Sequence, residues 1–189
     1  RRFDYGMAAD GTRQMLWGFF KKMLVADNCA VVANHIFGTY ETQNSVQLIG
    51  GALMFTFQIY GDFSGYSDIA IGCAKIFGIR LKRNFDVPYF SRNVAEFWKR
   101  WHISLNTWFV DYIYIPLGGS RRGTTRTFVN TMVIFAVSGL WHGANWTFVA
   151  WGLYHGLLFL PLILLGSTKK YAKSAATIAE LPQMLLTFA

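Results

Sequence analysis

Long apolar stretches separated by short charged clusters run along this chain, and their lengths predict helices that meet a membrane. Residues 42–61 carry no charge, and twenty such residues are about the length of a helix that crosses a bilayer core. Residues 62–79 predict a second, shorter helix. Its polar residues at 64–68 suit a helix N-terminus, because side-chain oxygens there satisfy free N–H groups. Residues 13–35 are amphipathic and predict a helix that lies at the membrane interface or lines the protein interior.

Residues 127–168 contain no Asp, Glu, Lys or Arg, and these 42 residues are too long for one membrane span. The Gly-Ala-Asn break at 143–145 therefore predicts a hairpin of two helices, 127–142 and 146–165. The first helix would rise only about 24 Å against a hydrocarbon core of about 30 Å, so its end at His142 is expected to stop inside the membrane. Basic residues flank the hairpin and predict that both its ends are cytoplasmic. They are Arg121, Arg122, Arg126, Lys169, Lys170 and Lys173.

The most charged part of the chain is 80–100. Pro88 disfavours a helical conformation of the residue before it, which predicts a polar loop followed by an interfacial helix from about Val94. Such a helix would direct one apolar face to the membrane interface and two basic side chains to lipid phosphates or water. The apolar face would consist of Trp98, Trp101 and Leu105, and the basic residues would be Lys99 and Arg100.

Composition agrees with a membrane protein, since only 15% of residues are charged against about 25% in soluble domains. The net charge of +8 is carried by short clusters between apolar spans, so we attribute it to cytoplasmic loops and expect no nucleic-acid partner. Cys29 and Cys73 lie in apolar stretches and are expected to be buried. The chain begins without Met and ends in an apolar run, so we expect an internal or C-terminal fragment of a longer protein, with 1–189 forming one membrane-embedded domain.

Two histidines are candidates for chemistry. His142 lies at the predicted hairpin tip, and ionisable residues within membrane spans are rare and usually functional. A neutral imidazole is a good general base, although His142 could equally bond across helices as a packing residue. His102 either lines a cavity or belongs to the interfacial anchor helix, and His155 is interpreted as a packing residue. The four histidines show no metal-binding pair, so no metal is expected.

The polar segment 61–68 contains two carboxylates, Asp62 and Asp68. It lacks the first glycine of a nucleophile elbow, and its alternation does not fit a calcium loop. Two interpretations remain open: the segment shapes a site near the membrane interface, or it caps a helix.

Three segments in this order resemble the membrane-bound O-acyltransferase (MBOAT) family, and within it the bacterial alginate O-acetylase branch. They are QIYGDFSGYSD at 58–68, NF at 84–85 leading to FWKRWHISL at 97–105, and GLWHG at 139–143. The residues WF, DY and IPLGGSR within 108–121 are more similar to that branch than to the D-alanine transferases of teichoic acid. Val110 departs from the pattern, because many relatives have Arg there.

The resemblance implies an all-α, polytopic helical membrane protein in which a tunnel from each face meets at the catalytic histidine. His142 matches the active-site histidine of the family, and His102 matches its second motif histidine. The implied co-substrate is an acyl thioester, either acetyl-CoA or an acyl carrier protein, with no permanently bound cofactor. The implied location is the inner (plasma) membrane, where the protein crosses the lipid several times.

The implied acceptor is a hydroxyl group of an extracytoplasmic polysaccharide, as in alginate biosynthesis or the O-acetylation of another exopolysaccharide or of the cell envelope. The acetyl group would pass to it directly or through an extracytoplasmic acetyltransferase partner. In the expected mechanism His142 accepts the hydroxyl proton, while His102, Asn106 or backbone N–H groups stabilise the oxyanion. Alternatives are a covalent acyl intermediate on His142 or Cys73, a membrane transporter, and a non-catalytic scaffold.

Overall fold

The computed structural model describes residues 3–171 and 176–188, and every regular element within those two ranges is helical. The expected all-α class is therefore confirmed for the described part of the chain. The chain divides into two compact units, Arg1–Asn84 and Phe85–Ala189. The expectation of a single membrane-embedded domain stays a prediction.

The first unit contains helices α1 (Tyr5–Phe19), α2 (Asp27–Gly38) and α3 (Ser45–Ile76). A π-helical segment, Phe20–Ala26, joins α1 to α2, so the helix predicted at 13–35 extends further in both directions. A short 3-10 turn, Tyr40–Thr42, leads into α3.

Helix α3 runs for 32 residues without a break, so the prediction of two helices at 42–61 and 62–79 is wrong. The physical start of the helix is Asn44, whose side chain accepts a hydrogen bond from the backbone N–H of Gln47. The Gln47 side chain accepts in turn from the backbone N–H of Asn44. The helix therefore starts twenty residues before Ser64, and the polar residues at 64–68 lie in its interior and do not cap a helix.

Glycines bring α1 and α3 into backbone contact. A Cβ on Gly18 would lie 2.6 Å from the carbonyl oxygen of Gly65, and one on Gly65 would lie 2.8 Å from that of Gly18. Gly11 and Gly72 face each other in the same way. Small residues at such positions allow close helix packing. Cys73, next to Gly72, is exposed and Cys29 is half-buried, so the expectation that both cysteines are buried is wrong.

The segment 61–68 pairs with lysines of the π-helical segment. Asp68 Oδ2 lies 2.5 Å from Lys21 Nζ, and its Oδ1 accepts a 2.8 Å hydrogen bond from Gln14 Nε2. Lys22 Nζ lies 2.7 Å from carboxylate oxygens of both Asp27 and Asp62. The two carboxylates of the segment therefore connect α3 to the π-helical segment Phe20–Ala26.

Asp68→Ala is expected to destabilise this first unit by roughly 1–3 kcal/mol, because the largely buried Lys21 ammonium and the Gln14 amide lose the carboxylate that binds them. Asp62→Ala, at a more exposed pair, is expected to cost less than about 1 kcal/mol. Thermal unfolding of the purified chain in detergent measures both. Equal shifts of the unfolding temperature in the two variants would contradict the prediction that the contacts of Asp68 stabilise the unit more than that of Asp62.

The second unit contains α4 (Val94–Arg100), α5 (Ile103–Phe109), α6 (Thr124–His142), α7 (Trp146–Leu158), α8 (Leu160–Leu164) and α9 (Leu181–Phe188). Short turns at Pro88–Phe90 and Ile178–Glu180 precede α4 and α9, and a π-helical turn, Val110–Tyr114, follows α5.

The predicted hairpin is confirmed. Helix α6 ends at His142, and Asn145 begins α7 by accepting hydrogen bonds from the backbone N–H and the hydroxyl of Thr147. Among the described residues, one helical stretch, Trp146–Leu164, is long and apolar enough to cross a membrane. The span predicted at 42–61 does not meet that criterion, so a multi-pass topology stays a prediction. The flanking residue Lys173 lies outside the described residues.

Candidate active site

His142 is the last residue of α6, and two aromatic rings from α7 lie beside its imidazole. The ring centroid of His142 lies 5.1 Å from that of Trp151 in an edge-to-face arrangement, and 6.4 Å from that of Phe148 in a stacked one. Trp141 packs against it at 5.0 Å. The imidazole is solvent-accessible in the described chain. A group that must meet a substrate needs this combination of fixed orientation and access.

Close packing of α6 and α7 sets the position of His142. A Cβ on Gly139 or on Gly152 would collide with a backbone carbonyl of the opposite helix, that of Phe148 or of Phe135 respectively. Only glycine permits this approach, which brings the Trp151 ring beside His142.

His102 lies at a sharp break between α4 and α5. Its backbone adopts the left-handed conformation, φ 45° and ψ 55°, which costs a residue with a side chain roughly 1–2 kcal/mol. The break turns the half-buried imidazole toward α6, where its ring centroid lies 5.8 Å from that of Trp141. The structure thus brings the two predicted site histidines to the same residue pair, Trp141-His142.

Burial, and to a smaller extent the positive charge of a protonated His142 nearby, together lower the pKa of His102 to about 4. His102 is therefore neutral at physiological pH and can donate one hydrogen bond or accept one. Both donor and acceptor roles in acyl transfer are compatible with that state.

The predicted interfacial helix begins at Val94 as expected, but the apolar face assigned to it is wrong. Because the helix ends before Trp101, Leu105 belongs to a different helix. The indole of Trp98 packs inside the unit, with ring-centroid distances of 5.3 Å to Phe135 and 5.8 Å to Trp151. The basic residues also make internal hydrogen bonds. Lys99 Nζ donates to the carbonyl of Thr168 at 3.0 Å, and an Arg100 guanidinium nitrogen donates to Glu96 Oε1 at 2.6 Å.

A buried ion network that the sequence analysis missed supports α4. The guanidinium of Arg92 is fully enclosed and bonds both oxygens of Glu96, which is 6% exposed. Arg92 also lies 2.9 Å from Glu180, ahead of α9, and its guanidinium lies over the ring of Tyr171. The only sequence signal for this network is an Arg and a Glu four residues apart, within a chain that carries few charges.

Burial alone would raise the pKa of Glu96, but hydrogen bonds from Arg92 and the charges of Arg100 and Arg92 outweigh it and hold that pKa below its usual range. Glu96 is therefore ionised, and the network is electrically balanced within the unit. Balanced charge is the condition under which such a buried group is tolerated.

Asn106 is excluded as a free oxyanion donor. Its side-chain amide donates to the carbonyl oxygen of Trp101 at 2.7 Å and also to that of Trp98. An amide group has two N–H donors, and both are occupied. Of the expected oxyanion donors, His102 and backbone N–H groups remain.

His155 forms the far end of the same aromatic cluster. Its ring centroid lies 4.9 Å from that of Trp151 and 5.1 Å from that of Trp98. These contacts confirm its interpretation as a packing residue. Within residues 3–171 and 176–188 no group of three or more His, Cys, Asp or Glu side chains could hold a metal ion.

A family comparison matches residues 9–169 to the model of MBOAT, the membrane-bound O-acyltransferase family. The chain belongs to the MBOAT family. The match spans both units of the chain and all three motifs on which the resemblance was based, which confirms that prediction.

Individual relatives indicate the branch of the family to which the chain is most similar. The chain is 48% identical over 148 residues to the probable alginate O-acetylase AlgI of Azotobacter vinelandii, which covers 78% of this chain and 30% of that protein. It is 44% identical over 140 residues to the peptidoglycan O-acetyltransferase of Helicobacter pylori, covering 74% of this chain and 27% of that protein. The teichoic acid D-alanyltransferase of Bacillus subtilis is 33% identical over 111 residues, covering 55% and 28%. This MBOAT chain thus spans less than a third of the length of these relatives and is more similar to the O-acetylating ones.

Proposed function

We propose that the full-length parent of this chain is an O-acyltransferase that moves an acetyl group from a thioester donor to hydroxyl groups of an extracytoplasmic polysaccharide. The observation that carries the proposal is the meeting of His102 and His142 at Trp141. The relatives named for alginate and peptidoglycan O-acetylation support the substrate class. The parent is expected to be a multi-pass protein of the inner membrane.

In the proposed reaction His142 acts as the general base. It accepts the proton of the acceptor hydroxyl while that oxygen attacks the thioester carbonyl carbon. The carbonyl oxygen becomes negatively charged and is stabilised by a neutral His102 or by backbone N–H groups. Collapse of the tetrahedral intermediate forms the ester, breaks the carbon–sulfur bond and returns the proton from His142 to the departing thiolate.

The donor is acetyl-CoA or the thioester of an acyl carrier protein. Both carry negative charge, and both suit the cytoplasmic basic residues that flank the hairpin, such as Arg121 and Lys170. The product leaves on the opposite side of the membrane, either directly on the polysaccharide or through an extracytoplasmic acetyltransferase partner.

Direct transfer is favoured over a covalent acyl-cysteine intermediate. The reaction above needs no thiol nucleophile on the protein, and Cys73 lies on α3 next to a glycine that packs on α1. Full activity of a Cys73→Ala variant is the result that direct transfer requires.

The test restores the full-length parent gene to a deletion strain and quantifies base-labile acetyl ester on envelope and secreted polysaccharides. His142→Ala is expected to lower the ester by roughly 100-fold or more at equal protein in the membrane, because general-base catalysis contributes about that much. His35→Ala, at an exposed histidine of α2, is the matched control and is expected to retain wild-type ester.

Wild-type ester in the His142→Ala strain would overturn the proposed mechanism and favour a transporter or scaffold. Failure of the wild-type gene itself to restore ester would overturn the proposed activity. When ester is restored, the fraction that carries it identifies the acceptor polysaccharide.

A further inference from the structure

Asn106 holds both sides of the break at which His102 lies. On the α4 side its amide donates to the carbonyl oxygens of Trp98 and Trp101. On the α5 side its backbone N–H donates to the carbonyl oxygen of His102 at 3.0 Å. One residue therefore binds three carbonyl groups that lie before, beside and at the site histidine.

These carbonyl groups need partners. The last carbonyl oxygens of a helix receive no hydrogen bond from an N–H group of the same helix. Helix α4 ends at Arg100, so the carbonyl oxygens near that end need donors from elsewhere. The usual solution is a glycine in the left-handed conformation just beyond the helix, whereas here the left-handed residue is His102. A histidine in that conformation persists only where neighbouring groups hold it.

We propose that Asn106 is a positioning residue for His102: its amide clamps Trp98 and Trp101 and thereby fixes the left-handed backbone that turns the His102 imidazole toward Trp141 and His142. The inference rests on the proposed function. It assigns to Asn106 a role in catalysis that acts through His102, without contact between its amide and the substrate.

The chemistry of the clamp identifies the informative substitution. Asn106→Asp keeps the size and shape of the side chain but replaces its NH2 group, which donates both hydrogen bonds, by a carboxylate oxygen. That oxygen repels the carbonyl oxygens of Trp98 and Trp101. Asn106→Ala removes the donors without adding repulsion, and it serves as a second variant with less effect on folding. Both are expected to release the break and let the imidazole leave Trp141.

A matched control exists in the same unit. Asn93 also uses its side chain locally, accepting a 2.8 Å hydrogen bond from the backbone N–H of Glu96 at the start of α4. Asn93→Ala removes one helix cap and leaves the Asn106 clamp intact. Its effect is expected to be independent of His102.

The experiment is a double-mutant comparison in the full-length parent, with ester normalised to protein in the membrane. His102→Ala, Asn106→Asp and Asn106→Ala are each expected to lower ester by roughly tenfold to a hundredfold, the loss that misplacing a catalytic group causes. In the His102→Ala background, either Asn106 substitution is expected to cause no further loss, because a residue that acts only through His102 has nothing left to position. Asn93→Ala is expected to give the same fold-change in both backgrounds.

Three outcomes overturn the inference. The first is wild-type ester in the Asn106→Asp variant. The second is a double variant whose fold-loss of ester equals the product of the losses in Asn106→Asp and His102→Ala. The third is unchanged ester in His102→Ala. If His142→Ala still loses ester in any of these cases, the proposed acyltransferase function stands while the role of Asn106 fails. Failure of the inference is therefore distinguishable from failure of the proposed function.

Discussion

Replacing Gly152 by alanine is expected to destabilise the α6–α7 hairpin by roughly 3 kcal/mol or more, because backbone atoms occupy the space that a side chain needs. The added Cβ would collide with the carbonyl oxygen of Phe135 and lie 3.3 Å from Cα of Gly139. Neither atom can move without shifting a helix. Thermal unfolding of the purified chain in detergent, followed by circular dichroism, measures the effect.

Gly50 provides the matched control. It also lies inside a helix, but a Cβ there meets no atom within 4 Å. Gly50→Ala is therefore expected to stabilise the chain by roughly 0.5–1 kcal/mol through helix propensity. The same substitution should act with opposite sign at the two positions, and a stabilising Gly152→Ala would disprove the close approach of α6 and α7.

Replacing Glu96 by alanine is expected to destabilise the second unit by roughly 3–5 kcal/mol, because it leaves the enclosed Arg92 guanidinium without its principal partner. The 2.6 Å bond from Arg100 to Glu96 is lost in the same variant. Urea or heat unfolding in detergent measures the loss of stability. Replacing the exposed carboxylate of Asp27, which is bound to Lys22, is expected to cost less than about 1 kcal/mol.

The pH dependence of stability gives an independent measurement of the same network. Since the pKa of Glu96 is held below its usual value of 4.5, its contribution is fully present above that pH and is lost as the pH falls below it. Glu96→Gln is expected to reduce this acid-dependent loss. An unchanged acid profile in that variant would contradict a buried, ionised Glu96.

The hairpin was predictable because two strong signals agree. A stretch of 42 residues without charge exceeds one span, and the Gly-Ala-Asn break divides it at the position where α6 ends and α7 begins. The pairing of His102 with His142 was not predictable from spacing, since forty residues separate them. It followed from the family resemblance, which named both residues, and the structure supplies the contact through Trp141.

Two errors arise because the local sequence does not report contacts that form only when the chain folds. Serines and an aspartate at 64–68 imitate a helix start, yet in α3 the partner of Asp68 is Lys21 on another helix. The break at His102 lacks glycine and proline, so no local breaker announces it. The clamp that holds it, Asn106, becomes visible only once the chain has folded.

The contacts of the buried Arg92 limit how far the chain can be truncated from its C-terminal side. The family match ends at residue 169, but Glu180 bonds the Arg92 guanidinium, and Phe188 packs on Tyr89 and Phe97 with ring centroids 5.6 Å from each. A truncation at the family boundary would remove one carboxylate from an enclosed cation and uncover the aromatic face of α4. A piece of this chain that keeps the Arg92 network and these aromatic contacts intact therefore has to extend beyond residue 169, through the end of α9.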